Sequence, residues 1–409
     1  MNEKNRISLN CEILLSRNAL FTLFSLPGFA FANWISRTPE IRDILQASTA
    51  LMGWIIFGLA AGSMIGLLTA SRFIKKMGAR FVTVFDTILL IIGLLVIAIA
   101  SVFGMSLLVF IGLVIFGVGY GSGEVAINVE GTELERKAKK TILPALHACF
   151  SAGSILGAAL GFICIRIGIS VPIHLTVVGI IVFVVLISAY RNIPYGTGKI
   201  ARTNINGKTI KLKETNVWKE PRTLLIGVIV IGMAFAEGAA NDWLPIAMVD
   251  GFNVNSSTGT VIYSVFLTAM FIGRVCGGYL LDKFGRVPVL RIAAGIGFLG
   301  LALTIFSSNL TIGVIGVFLW GLGVSLGFPV GLSAAGDNPN NSVARVSAVS
   351  VLGYAAFLVG PPLLGILGEL VGLLNAMIFV LVLLAVAGFV SHSAKELNMQ
   401  QQKEIKNLI

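Results

Sequence analysis

Apolar residues in this chain run in long blocks, broken by short polar interruptions. Twelve blocks can be drawn, over residues 19–35, 50–70, 81–103, 106–129, 141–165, 171–190, 223–249, 257–280, 288–307, 310–334, 344–368 and 371–392. Most reach the ~20 residues that a helix needs to cross a bilayer. Lipid offers the backbone no hydrogen-bond partner, so each block is predicted to satisfy its own amides as an α-helix. The expected fold class is all-α and integral to a membrane, with twelve transmembrane helices.

Composition agrees. Hydrophobic residues make up 56% of the chain and charged residues only 12%, about half the charge of a soluble domain. The net charge of +11 first suggests nucleic acid, but the charges alternate with the spans and form no stripe, so no nucleic-acid partner is expected. With the N-terminus inside, 26 of the 30 Lys and Arg fall on one side. They lie in the N-terminal tail, the 71–80 loop, the 136–140 run, the 191–222 stretch, at Lys283, Arg286, Arg291 and Arg345, and in the C-terminal tail. Only Arg37, Arg42 and Arg166 fall on the other side, and Arg274 within a helix. This asymmetry predicts cytoplasmic N- and C-termini in a multi-pass plasma membrane (bacterial inner membrane) protein. The polar N-terminus predicts an uncleaved first helix. Cys11, Cys149, Cys164 and Cys276 are scattered, so neither a disulfide nor a metal site is expected. No cofactor is expected, and no enzyme: the chain has no GxxxxGK[ST] loop, no HExxH helix and no Ser/His/Asp set.

The longest polar stretch, 191–222, divides the chain. It predicts a six-helix bundle over 1–190, a basic cytoplasmic linker over 191–222, a second bundle over 223–392 and a cytoplasmic tail over 393–409, too short for a signalling domain. The halves repeat. At an offset of 207, Gly62, Gly66 and Ala70 match Ala269, Gly273 and Gly277, while Lys76 and Gly78 match Lys283 and Gly285. At an offset of 204, Gly117, Gly119 and Gly123 match Gly321, Gly323 and Gly327. Parallel repeats of this kind are the pattern of secondary transporters. Gly58, Gly62, Gly66 and Ala70 recur every four residues, as do Gly153, Gly157 and Gly161. Such stripes let helix backbones approach closely, whether for static packing alone or also for rocking.

The segment 278–286, GYLLDKFGR, resembles the loop signature of the major facilitator superfamily. Gly278, Asp282, Lys283, Gly285 and Arg286 supply its Gly, acidic, basic, Gly and basic positions. The first copy is degenerate: Ser71 and Lys75 replace the Gly and the acid, while Lys76, Gly78 and Arg80 remain. Helix count, linker and repeat extend the resemblance over the whole chain. Within the superfamily, PGFAFANWISRTPEIRDIL, GYGSGEVAINVEG, LPALHACFSAGS, EGAANDW and GYAAFLVGPPLLG resemble the MosC-like branch, which is similar to the fucose permeases. That resemblance implies two pseudo-symmetric six-helix bundles and a sugar-like or polyol-derived solute. Asp282 is expected to take part in a conformational latch, accepting hydrogen bonds from a helix N-terminus or pairing with Arg345. Lys75 cannot do the same in the first half. A plain surface turn is the alternative.

Ionisable groups within lipid cost on the order of 3 kcal/mol each, so each needs a reason. Glu124 precedes Asn128 by one turn on the same face. The resemblance to fucose permeases implies that such an acid couples transport to protons, and the alternative is a structural carboxyl. Glu237, Asn241, Asp242 and Trp243 form a second cluster. Carboxylate, amide and indole suit a polyhydroxylated ligand, or else clamp two helices. Asn33 and Trp34 are candidates to line the cavity, with an interfacial belt the default for the Trp. In fucose permeases the first helix carries a second coupling acid; here Asn33 stands in roughly that region. His147 is a candidate partner of Glu124 or Glu130, or a packing residue. Asp86 and Glu130 are expected to meet basic loops, His174 to be solvated, and Arg274 to snorkel toward the latch. Gly360, Pro361 and Pro362 are expected to bend the eleventh span and act as a hinge.

Together these features predict a secondary active transporter for a small polar organic solute, coupled to protons through Glu124 and working as a monomer. Proton-driven efflux of drugs or sugars is the alternative, with a non-transporting sensor behind it.

Overall fold

A computed structural model describes residues 3–138, 142–198, 217–337 and 342–396. Among these residues the regular structure is entirely helical. The helices are α1 (Glu3–Ser36), α2 (Thr38–Leu45), α3 (Thr49–Met77), α4 (Ala79–Phe103), α5 (Ser106–Ala138), α6 (Leu143–Arg166) and α7 (Val171–Ala189). They continue as α8 (Pro221–Phe252), α9 (Ser256–Phe284), α10 (Arg286–Phe306), α11 (Leu310–Val324), α12 (Gly327–Ala335), α13 (Ser342–Val371), α14 (Leu373–Ala376) and α15 (Ile378–Val390). They supply twelve membrane spans, from Glu12–Ser36 to Leu373–Ala394. The tenth span is shared by α11 and α12, and the last is shared by α14, α15 and the short 3-10 turn after them. The 199–216 part of the predicted linker, Lys139 and Lys140, and residues 397–409 of the predicted tail lie outside the described residues.

Local chemistry fixes several helix ends. The Ser48 side chain accepts from the Leu51 amide at 3.3 Å and opens α3, and Asn309 accepts from the Thr311 amide at 2.9 Å and opens α11. Gly78 ends α3 at φ +91°, and its repeat partner Gly285 sits between α9 and α10 at φ +77°. Only glycine enters that region without strain. The loop signature thus turns the chain in the same way in both halves.

The chain forms two compact units. The first comprises Met1–Arg202 with Met248–Ser264, and the second Thr203–Ala247 with Val265–Ile409. The division therefore differs from the linker boundary, because the end of α8 and the start of α9 associate with the first unit. There Arg42 bonds Asp250 at 2.5 Å, and Thr260 Oγ1 donates to the Ser36 carbonyl at 3.3 Å.

Within the first unit α5 packs against both α3 and α4, and α1 packs on α6. The glycine stripes explain how. A methyl group on Gly62 or Gly66 would strike the Val114 or Val118 carbonyl of α5, and one on Gly153 or Gly157 would strike the Ser25 or Phe29 carbonyl of α1. Lipid gives helices no hydrophobic drive to associate, so close backbone contact supplies the attraction instead. In the second unit α10 packs on α11 through Gly300 and Gly316, where a methyl on Gly316 would stand 2.6 Å from the Gly300 carbonyl. The helix α13 runs unbroken through Pro361 and Pro362.

Candidate functional site

In the first unit, the 3.6-residue period of α5 stacks Tyr120, Glu124 and Asn128 on one face. Glu124 and Asn128 are both half-buried. The Asn128 amide donates to the Glu124 carbonyl at 2.8 Å, which steadies this turn. Rings from α1 and α6 surround Tyr120. Its ring centroid lies 5.7 Å from that of Phe31 and 6.1 Å from that of Phe150. Phe24 meets the His147 ring edge-on at 5.1 Å. His147 is exposed, on the helix that also carries Phe150. The result is a wall of carboxyl, amide, imidazole and aromatic faces inside membrane-spanning helices. The sequence reading missed Phe24, Phe31, Tyr120 and Phe150. Their signal was the spacing: Tyr120 stands one turn before Glu124, and Phe24 two turns before Phe31.

Asn33 and Trp34 take no part in that wall. Both are fully buried. Asn33 Oδ1 is 2.7 Å from His174 Nε2, and its amide donates to the Phe29 carbonyl at 2.8 Å. Arg37 Nε donates to His174 Nδ1 at 2.8 Å, and Arg37 also bonds the Ile169 carbonyl at 2.7 Å and Glu40. Because Nδ1 accepts, the His174 proton sits on Nε2 and points at Asn33. The expectation of a solvated His174 is thus corrected: it is 0% exposed, and Arg37 is 1% exposed. The network joins α1, α2, α7 and the loop between α6 and α7 at one end of the first unit.

In the second unit Glu237 and Asn241 share a face of α8 and are half-buried. Arg274 of α9 donates to Glu237 at 2.9 Å and to the Ser325 carbonyl at 3.4 Å. Arg274 therefore does not reach toward the loop signature; it neutralises a carboxylate within the membrane span. Asp242 and Trp243 point elsewhere. Asp242 is 8% exposed, Trp243 is fully buried, and its indole N–H has no acceptor. The expected set of carboxylate, amide and indole accordingly splits, with only Glu237 and Asn241 on the more open face. Trp34 shows the same burial and the same unmatched N–H. The pairs Asn33–Trp34 and Asp242–Trp243 stand 209 residues apart, so the repeat reaches the first helix of each half. It breaks at the site itself. The offset that matches Gly117 with Gly321 sets Phe328 opposite Glu124, and Phe328 packs on Tyr354 at 5.8 Å and Phe357 at 6.5 Å.

One further carboxyl departs from expectation. Asp86 does not meet a basic loop; it is 3% exposed in α4, with Ser122 of α5 at 2.7 Å. Glu130 is 1% exposed and does meet basic segments: its neighbours are the Thr197 side chain, the Arg80 amide and Lys137. The latch differs too. Arg345 bonds Glu220 at 2.5 and 2.9 Å instead of Asp282, which is exposed. Arg286 and Arg222 converge on Asp337, at 2.6 and 3.0 Å. Lys283 lies over the Tyr279 and Phe284 rings. The Arg345 guanidinium holds the Glu220 carboxyl below its ordinary range. Cys149, Cys164 and Cys276 are free thiols.

Known proteins resemble this chain over nearly all its length. A family model described as Major Facilitator Superfamily matches residues 20–355 and 231–398. The membrane protein MosC of Rhizobium meliloti is 26% identical over 374 residues, 90% of this chain and 87% of its own length. The transporter y4wD of Sinorhizobium fredii is 26% identical over 369 residues, 88% and 95% of the two chains. Among solved structures, the nucleoside transporter NupG superposes with a TM-score of 0.74 at 14% identity, covering 94% of this chain and 99% of its own. The fucose:proton symporter FucP of E. coli gives a TM-score of 0.63 at 17% identity, covering 94% and 100%. At such identity the solved structures speak for the fold.

Proposed function

The chain belongs to the Major Facilitator Superfamily of membrane transporters, and on that premise we propose that it moves a small polyhydroxylated solute, a sugar or polyol derivative, by alternating access coupled to protons. The observation that carries this reading is the wall on α1, α5 and α6, where half-buried Glu124 and Asn128 share a helix face with Tyr120, and Tyr120 meets Phe150, one turn along α6 from exposed His147. A sugar-like molecule needs donors and acceptors for its hydroxyls and an apolar face for its ring, and this wall offers both. A carboxyl is also a group that can accept and donate a proton. A nucleoside transporter and a fucose:proton symporter among the fold neighbours support a ring-bearing, hydroxyl-rich class.

In this reading Glu124 carries the coupling proton and Asn128 and His147 contact the solute. Glu237 and Asn241, held by Arg274, are the candidate solute contacts within the second unit itself. The halves, 1–190 and 223–392, rock about the linker as a monomer in the bacterial inner membrane, with both termini cytoplasmic. The pairs around Asp337 and Glu220 form and break in the cycle, and Gly360, Pro361 and Pro362 provide the hinge.

The test is counterflow in proteoliposomes across neutral monosaccharides, polyols, nucleosides and cationic drugs. Movement of a sugar, polyol or nucleoside is expected; movement of the drugs alone would replace this reading with efflux. Glu124→Gln is expected to abolish uphill accumulation driven by a pH gradient while sparing exchange. Uphill accumulation unchanged in that variant removes Glu124 from the coupling step.

A further inference from the structure

Asp86 is a buried carboxyl that the reading above leaves unused. It sits on α4 where α4 crosses α5 at very short range: a methyl on Gly119 would stand 2.5 Å from the Asp86 carbonyl oxygen, and one on Gly123 would stand 3.4 Å from Asp86 Cβ. The two glycines bring the Asp86 side chain against Ser122. Asp86 Oδ1 lies 2.7 Å from Ser122 Oγ, and the same Oγ lies 2.6 Å from the Val118 carbonyl. The other carboxyl oxygen, Oδ2, is buried without a partner.

A count of protons decides the charge state. The Ser122 hydroxyl has one hydrogen, yet it makes two short contacts to oxygen, and a carboxylate and a carbonyl are both pure acceptors. One hydrogen cannot serve both at such lengths. If Asp86 carries a proton on Oδ1, it donates to Ser122 Oγ and Ser122 donates to Val118, and both contacts become ordinary hydrogen bonds. A charged Asp86 would instead hold a full charge away from water on a single neutral hydrogen bond, which burial penalises.

No neighbour offsets that charge. Among the described residues Asp86 has no ion pair. On α3 the bases Arg72, Lys75 and Lys76 are all exposed. His174 of α7 is bonded to Arg37 and Asn33, and Arg42 of α2 to Asp250 and Asp43. Arg17 of α1 bonds Asn18. On α4 itself Arg80 lies over the Tyr190 ring, and the α5 bases Arg136 and Lys137 pair with Glu133.

We propose that Asp86 is a second proton-binding site of this transporter, loaded in the conformation described and emptied in another. Its use in transport rests on the proton-coupled reading above; its protonation does not. Loading forms an O–H bond with a proton from water on one side of the membrane. Unloading breaks that bond, returns the proton to water on the other side and leaves a carboxylate. The Ser122 hydrogen then turns to the carboxylate and gives up Val118. Ser122 stands two residues before Glu124, so emptying Asp86 rearranges the turn that carries the first coupling acid.

The test is infrared difference spectroscopy of the full chain in lipid nanodiscs through a pH titration, which reads neutral carboxyl groups without any solute. The wild type is expected to show a neutral-carboxyl band that disappears reversibly as pH rises. Asp86→Asn keeps the shape of the acid and donates from Nδ2 to Ser122, so it should fold and lack one such band. Ser122→Ala keeps Asp86 but removes its partner, and should shift the frequency of the same band. A spectrum unchanged in Asp86→Asn, or in Ser122→Ala should the first variant not fold, overturns the proposal. So does a band that stays fixed over the whole pH range in which the protein is folded. Glu124→Gln is read by transport and leaves the Asp86 band in place, so failure of one reading is distinguished from failure of the other.

Discussion

Replacing Arg37 by methionine isolates the energetics of the network that ties α1, α7 and the loop between α6 and α7. Methionine keeps most of the volume, so the change removes donors without opening a large cavity. His174 Nδ1 and the Ile169 carbonyl then lose their partners at 2.8 and 2.7 Å. Each buried acceptor left unmatched costs about 1–3 kcal/mol. Glu40 loses its guanidinium too, but its side chain is 30% exposed and water takes over. The sum is about 4 kcal/mol, in line with the ~3–5 kcal/mol typical of breaking a buried pair. For a unit of about 200 residues, at ~2–4 °C per kcal/mol, the melting point should fall by about 10 °C. Arg42→Met provides the scale. Arg42 and Asp250 are 16% and 40% exposed, and such a pair contributes about 1 kcal/mol at most. A thiol-reactive dye reports the transition. Cys164 is 5% exposed, on the helix next to Arg37, and becomes reactive when the unit opens. Cys276 is exposed and is first replaced by serine. Equal melting points for Arg37→Met and Arg42→Met would refute the argument, because they would mean the buried acceptors find new donors without cost.

Two other perturbations follow from the same packing. The Glu220 carboxyl, held low by Arg345, contributes stability that is present above the unfolded carboxylate value of about 4.3 and lost as pH falls through its lower folded value. Partial exposure of Glu220, at 29%, limits this to about 1 kcal/mol; Glu220→Gln should flatten the acid limb of the stability profile, and an identical limb in the variant refutes the pairing. Gly62→Val should drive α3 off α5 at the Val114 carbonyl and cut the monodisperse fraction in size-exclusion chromatography, whereas Gly295→Val, with nothing within 4 Å of the new Cβ, should leave it unchanged. Equal losses in both would show that helix propensity, not the α3–α5 contact, governs the result.

The sequence alone determined what lipid dictates. A backbone in hydrocarbon must bond itself, so length and hydropathy located all twelve spans, most of them to within a few residues; the second and fourth run past the predicted 70 and 129 to Met77 and Ala138, and the first starts early. That span begins at Glu12 in the structure, ahead of the predicted 19, because a polar helical end extends past the apolar core. The repeat was equally legible, and Gly78 and Gly285 confirmed it by sharing a backbone conformation. Glycine spacing announced which helix faces would meet closely, since four-residue periods survive in any helix.

Tertiary structure alone decided the partners. A charge on a helix turns about 100° with each residue, so a small uncertainty in rotation moves a side chain from a cavity to a packed face. That is why Trp243 and Asn241, two residues apart, ended in different surroundings. Partners far apart in the chain were illegible for the same reason: Arg37 finds His174 137 residues away, and Arg345 finds Glu220 125 residues away instead of Asp282. Asp86 makes the point most sharply, because whether a carboxyl in a membrane carries a charge depends on the few atoms around it, and only the crossing of α4 on α5 assembles them.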